Sequence, residues 1–320
     1  MHNKSLKRYL ERQNSIDVSI VVPIYANFDI NRTQICINSL KTQTGIKSEI
    51  IISEQNATPG LREFARYMNL RYIYKPNEED IGNSFRPGKV RNLGAKLAKG
   101  QFIYTNDADI IFKNQNYLSS LIKRLESNPD MAFHRPKMRR MPLECFDEFL
   151  RRINEVGIRK TIDSLNYQQD FLATTDEIVR KLKVVKRIRN GEEKIVTTSL
   201  ENFQRYISDS SLKGQEPTIW SHDVHCGGTF MRKSQFETVG GYCEEFRTWG
   251  CEDSDLQWKL AQCFDLQFIP GEPQFEVLHM DHPKKYFSSD MLKSNNSIQE
   301  NRRILGISEI IKRDKEVYFR

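Results

Sequence analysis

Asp107 and Asp109, in Asn106-Asp107-Ala108-Asp109, stand two residues apart at the end of an apolar run, so on an extended chain both carboxylates project to one side. Hard oxygens paired in this way suit one Mg2+ or Mn2+ ion, which would bridge a sugar nucleotide's diphosphate and neutralise charge on the leaving group. Downstream, Glu252-Asp253-Ser254-Asp255 offers a base. Asp253 would take an acceptor proton while Glu252 holds an acceptor hydroxyl, although the same acids also suit a helix start, where they favour the dipole. One or both of His279 and His282 could complete the metal's shell through imidazole nitrogen; ordinary surface or core histidines are the alternative. Arg86, Lys89 and Arg91 could reach a diphosphate, or form a solvated basic face. Trp249, beside Gly250, could stack on a sugar or fill a core.

Spacing alone does not single these residues out. With 42 acidic residues in 320, about five or six acidic i,i+2 pairs arise by chance. What distinguishes Asp107 and Asp109 is the strand expected over Gln101–Thr105, with the acidic cluster and the histidines downstream. Before that strand, Val18-Ser19-Ile20-Val21-Val22-Pro23 reads as a buried strand stopped by Pro23, and 30–43 as a helix. Glu49–Glu54 reads as a strand, Leu61–Leu70 as a helix, Arg71–Tyr74 as a strand and Lys89–Lys99 as a helix closed by Gly100. The alternation predicts an α/β fold with a mostly parallel sheet and ligands at the carboxyl ends of its strands.

From about Met131 to Ile219 that rhythm dissolves into a basic, helix-leaning stretch. It returns with a strand at Gly227–Arg232, a helix through Leu260 and a strand over Gln274–Leu278. The expected organisation is a basic leader (1–17), a nucleotide-sugar-binding half (18–133), a helix-rich insertion forming the acceptor region (134–219), a catalytic half (220–285) and a polar, basic tail (286–320).

At 38% hydrophobic content the chain can bury a sizeable core. No run approaches the roughly 20 apolar residues a membrane span needs, and the first 17 residues hold no signal-like apolar segment, so the expected location is the cytoplasm. The six cysteines form no CxxC pair and read as free buried thiols. The net charge of +7 suits phosphate-bearing ligands, an anionic membrane surface or nucleic acid. Nucleic acid ranks low, because residues 151–200 interleave only Tyr167 and Phe171 among their basic residues.

Five segments resemble the family 2 glycosyltransferases with the GT-A fold: Val21-Val22-Pro23-Ile24-Tyr25, Lys89-Val90-Arg91-Asn92-Leu93-Gly94, Asp107-Ala108-Asp109, Gly227-Gly228 and Trp249-Gly250-Cys251-Glu252-Asp253-Ser254-Asp255. The second half is similar to the C-terminal module of the family 7 β-galactosyltransferases. The resemblance implies a nucleotide pocket at Pro23, Ile24, Tyr25 and Glu54, with Asn106, Asp107, Arg86, Lys89, Arg91 and Trp249 also on the donor side. It implies an acceptor side at Gly228, Trp249, Glu252 and Asp255, Asp253 as base, and metal held by Asp107, Asp109 and residues similar to His279 and His282. Ser53-Glu54-Gln55 departs from the Asp-Asp-Gly-Ser common in family 2. The implied activity is inverting, metal-dependent transfer from a UDP-sugar to a glycan or glycolipid, in capsule or surface-glycan assembly, with peripheral association at the inner membrane surface. A peptide acceptor and a non-catalytic scaffold binding nucleic acid or membrane are the alternatives.

Overall fold

The computed structural model describes residues 15–25, 29–77, 85–128, 131–141, 145–164, 182–187, 193–198, 218–220, 227–248, 250–264, 273–282 and 289–320. Its strands are β1 (Val18–Tyr25), β2 (Ser48–Asn56), β3 (Arg71–Pro76), β4 (Phe102–Thr105), β5 (Ile110–Phe112), β6 (Phe133–His134), β7 (Lys137–Met141), β8 (Leu182–Arg187), β9 (Glu193–Thr198), β10 (Thr218–Trp220), β11 (Thr229–Arg232) and β12 (Glu276–Met280). Its α-helices are α1 (Ile30–Lys41), α2 (Arg62–Tyr67), α3 (Pro87–Leu97), α4 (Tyr117–Ser127), α5 (Phe146–Val156), α6 (Ile158–Asp163), α7 (Lys233–Thr238), α8 (Glu252–Cys263), α9 (Ser289–Leu305) and α10 (Ile307–Tyr318).

The main sheet has the order β3-β2-β1-β4-β11-β6. β1, β2, β3 and β4 are mutually parallel, and β11 runs antiparallel to both β4 and β6. β1 is a Val/Ile run buried on both faces, as a central strand between two layers must be. Val18, Ile20, Val22 and Ile24 join one core with Tyr104, Phe112 and Tyr117, while Val21 joins Ile103, Phe236 and Leu256 on the other face.

Pro23 does not stop β1, which continues to Tyr25. The β4 pairing ends at Val21–Thr105, and the Val21 carbonyl accepts from Asn106 N–H on that side. Two residues further on, the donor that proline lacks would point the same way, where β4 has already ended. The strand therefore loses no ladder bond and carries Tyr25 to the sheet's carboxyl edge.

A small sheet of order β5-β12-β7 sits beyond the end of β4, and β10-β8-β9 form a separate antiparallel ribbon. The stretch expected to be a helix-rich insertion thus contains, in its described parts, α5 and α6 but also strands. The expected basic tail forms the two helices α9 and α10, with Arg302, Ile310, Asp314 and Tyr318 buried. Cys36, Cys243 and Cys251 are buried free thiols as expected, whereas Cys263 is free but exposed; Cys226 lies outside the described residues.

Candidate active site and metal centre

β12 lies antiparallel to β5, with His279 opposite Ile110, the residue after Asp109. The Met280 N–H donates to the Asp109 carbonyl at 2.9 Å, closing the two segments together. His279 is therefore inside a strand, not after one. Its Nε2 lies 3.4 Å from Asp109 Oδ2, and His282 Nε2 lies 3.0 Å from the same oxygen. Donor atoms of the three side chains lie within 4.8 Å of one another. Asp109 Oδ1 is buried and accepts no hydrogen bond. Burial alone would raise the Asp109 pKa, but the two imidazoles hold it well below the carboxylate range. An ionised carboxylate with one oxygen to spare, facing two imidazole nitrogens, is a donor set that fits a divalent cation.

Asp107, expected in that set, is placed elsewhere. Its Oδ1 lies 2.7 Å from Arg91 Nη2. Gly227 backs it so closely that a Cβ there would stand 2.4 Å from Asp107 Oδ2. A side chain at 227 would therefore displace the Asp107 carboxylate from its present position.

α8 begins after two left-handed residues, Gly250 at φ +100° and Cys251 at φ +77°. A non-glycine residue rarely takes this conformation, which costs about 1–2 kcal/mol. The turn sets Glu252 and Asp253 in the helix's first turn, where the dipole favours ionised carboxylates. Arg91 reaches them from α3, with Nη1 at 3.1 Å from Glu252 Oε1 and 3.6 Å from Asp253 Oδ1. Its guanidinium also lies 5.3 Å from the centre of the Tyr242 ring. Burial would lower the Arg91 pKa, but Asp253, Tyr242, Asp107 and Glu252 together raise it well above its ordinary value. Expected to meet a diphosphate, Arg91 is committed to carboxylates because α3 lies hard against the sheet. A Cβ at Gly94, one turn on, would stand 2.5 Å from Val21 Cγ1. Of the two acids, Asp253 is the more open, at 14% side-chain exposure against 8% for Glu252. Glu252 Oε2 is buried and has no hydrogen-bond partner, which leaves it able to accept from a ligand hydroxyl.

Pro23, Ile24 and Tyr25 end β1 beside this site, and the Tyr25 ring stacks on Phe85 with centroids 5.0 Å apart. Phe85 carried no sequence signal, standing in a loop just before α3. Glu54, expected in the donor pocket, folds its own loop. Its Oε1 accepts from Gly60 N–H at 2.9 Å, and its Oε2 accepts from Leu61 N–H at 3.0 Å and from the Tyr72 hydroxyl at 2.6 Å. Asn106 is buried, donating to the Asp107 carbonyl at 2.8 Å. Arg86 stands at the N-cap of α3 and donates to the Glu244 carbonyl at 3.3 Å, and Lys89 is half-buried in the helix's first turn.

Gly228 is buried just before β11. Asp255, expected at the acceptor, is fully buried in an ion pair with Arg302, at 2.8 Å from Nε and 2.9 Å from Nη2. Both of its oxygens are engaged by Arg302, and none of its side chain is exposed to meet an acceptor. Trp249 lies outside the described residues.

Residues 19–142 match the family described as glycosyl transferase family 2, and residues 211–282 match the N-terminal domain of galactosyltransferase. Chondroitin synthase of Escherichia coli is 24% identical over 311 residues, covering 92% of this chain and 39% of that protein. Hyaluronan synthase of Pasteurella multocida is 24% identical over 259 residues, covering 77% of this chain and 23% of its own length. The chain thus spans well under half of these relatives. Among solved structures, GalNAc-T7 with UDP, GalNAc and Mn2+ superposes with a TM-score of 0.52 at 16% identity, over 90% of this chain and 48% of that one, a likeness of fold. Residues 19–142 are accordingly a family 2 glycosyltransferase domain of GT-A fold, continued by a galactosyltransferase-type module over residues 211–282.

Proposed function

We propose that the chain transfers a sugar from a UDP-sugar, with inversion, onto a glycan or glycolipid acceptor during surface-polysaccharide assembly, using a divalent metal. The observation that carries this reading is the joining of two sites by one arginine. Asp109, His279 and His282 converge on one side, Glu252 and Asp253 stand on the other, and Arg91 bridges the second pair to Asp107 of the donor motif.

In this reading Asp253 removes the proton from the acceptor hydroxyl as its oxygen bonds to the anomeric carbon. The bond from that carbon to the diphosphate breaks, its electrons leave with UDP, and the proton remains on Asp253. Glu252 Oε2 orients the acceptor by accepting from a second hydroxyl. The Tyr25–Phe85 stack offers a flat apolar surface to the base of the nucleotide. A metal held by Asp109, His279 and His282 would supply charge neutralisation for the departing diphosphate. Two imidazoles in the donor set favour Mn2+ over Mg2+, which prefers oxygen. The Mn2+ and UDP bound to GalNAc-T7 support the choice, and the polysaccharide names of the relatives support a glycan acceptor. No helix among the described residues is long and apolar enough to cross a membrane. The proposed place of the reaction, the cytoplasm at the inner membrane surface, rests on the resemblance to enzymes of surface-glycan assembly.

The test is release of UDP from a panel of UDP-sugars with and without Mn2+. Metal-dependent release from one donor is expected and names the sugar. Absence of both release and UDP binding would leave only a scaffold on a transferase fold.

A further inference from the structure

The ligand segment His279-Met280-Asp281-His282 is held by more than its strand pairing. Met280 N–H donates to the Asp109 carbonyl, and Asp281 N–H donates to the Met141 carbonyl at 3.2 Å. The remaining peptide group between the two histidines, the Asp281 carbonyl, accepts from Arg32 Nη2 at 2.8 Å. Arg32 belongs to the first turn of α1, and its side chain is 6% exposed. Its Nη1 pairs with Asp29, the residue that caps α1 by accepting from Asn31 N–H at 2.9 Å. The guanidinium lies over Phe146 of α5, its central carbon 3.6 Å from the ring centre. One buried fork thus joins the start of α1, the histidine segment and α5.

We infer that Arg32 is a positioning residue for the metal centre: its bond to the Asp281 carbonyl fixes the turn that brings His279 and His282 to one oxygen of Asp109. The physical case rests on distance tolerance. Ligands to a divalent ion must be placed to within a few tenths of an ångström, and groups that orient ligands from behind typically change metal affinity 10- to 100-fold when removed. Planarity matters as well as charge. Arg32 pairs with Asp29, donates to a carbonyl and covers a ring at the same time, a combination suited to a planar fork and not to a compact ammonium. The inference rests on the metal reading above.

The experiment measures Mn2+ affinity by electron paramagnetic resonance without nucleotide, on the parent chain and on the variants Arg32→Met, Arg32→Lys and His282→Ala. Ile310→Ala, a cavity variant on α10, controls for general loss of stability. Arg32→Met is expected to weaken Mn2+ binding at least about 10-fold, Arg32→Lys to weaken it less, and Ile310→Ala to leave it unchanged. Should Arg32→Met fail to fold, Arg32→Lys carries the test alone, with weakening of at least about threefold expected. The proposal is overturned if the arginine variants bind Mn2+ within about twofold of the parent while His282→Ala does not. If His282→Ala also binds like the parent, the metal reading itself falls and this inference with it.

Discussion

At the scale of single residues, the site depends on how one cation is shared. Arg91 touches Asp107, Glu252 and Asp253, so the proposed base is held by the same guanidinium as Asp107. Asp253→Asn keeps the size and the contact with Arg91 but cannot take a proton. It is expected to leave UDP affinity nearly unchanged and to lower turnover by roughly 10²-fold or more. Unchanged turnover in steady-state assays would remove Asp253 from the role of base. That Asp109 meets His279 and His282, and that Glu252 and Asp253 share one helix turn, was legible in the sequence because the chemistry expected of them restricts residue type. Glu54 and Asp255 were not separable from them, since a carboxylate that ties a loop or pairs with a buried arginine looks the same as one that binds a ligand. The decisive partners, Leu61 N–H and Arg302, are 7 and 47 residues away.

At the scale of elements, α8, whose first turn carries Glu252 and Asp253, is anchored through charges on its buried face. Asp255 and Lys259 of α8 meet Arg302 of α9 and Asp314 of α10, two charges of each sign with every member buried. Removing one partner strands the others in low dielectric, so Arg302→Met is expected to cost about 3–5 kcal/mol of stability. Denaturant unfolding measures it, and a loss under about 1 kcal/mol would mean that water reaches the cluster. This network explains why the last 35 residues read as a polar tail. Their inward stripe includes Arg302 and Asp314, so the apolar period that marks an amphipathic helix is interrupted by charge. The βα alternation over 18–105 was legible because apolar runs of strand length stand there between helical spacings. β1 exceeded its expected end only because the neighbouring strand stops first, a fact of pairing that no local pattern carries.

At the scale of the whole molecule, a six-stranded sheet covered on both faces carries the proposed donor and acceptor groups beyond the ends of its central strands. Its acid stability includes a contribution from His134, in β6 of that sheet. Burial, then Arg124 and Arg135, lower the His134 pKa to about 3. The folded pKa is below the ordinary 6.5, so the stabilisation is complete above about pH 6.5 and is lost as pH falls toward 3. His134→Phe is expected to reduce the slope of stability against pH by up to about 1.4 kcal/mol per unit between pH 6 and 4. An unchanged slope in urea titrations would show that the imidazole is not buried neutral.

The central claim is that Asp109, His279 and His282 hold the ion through which UDP binds. The most direct measurement is UDP affinity by calorimetry, with Mn2+ and with chelator, for the parent chain and for Asp109→Ala. The account predicts metal-dependent binding in the parent and weak, metal-independent binding in the variant. Equal affinity with and without metal in the parent, or metal-dependent binding that survives Asp109→Ala, would contradict it.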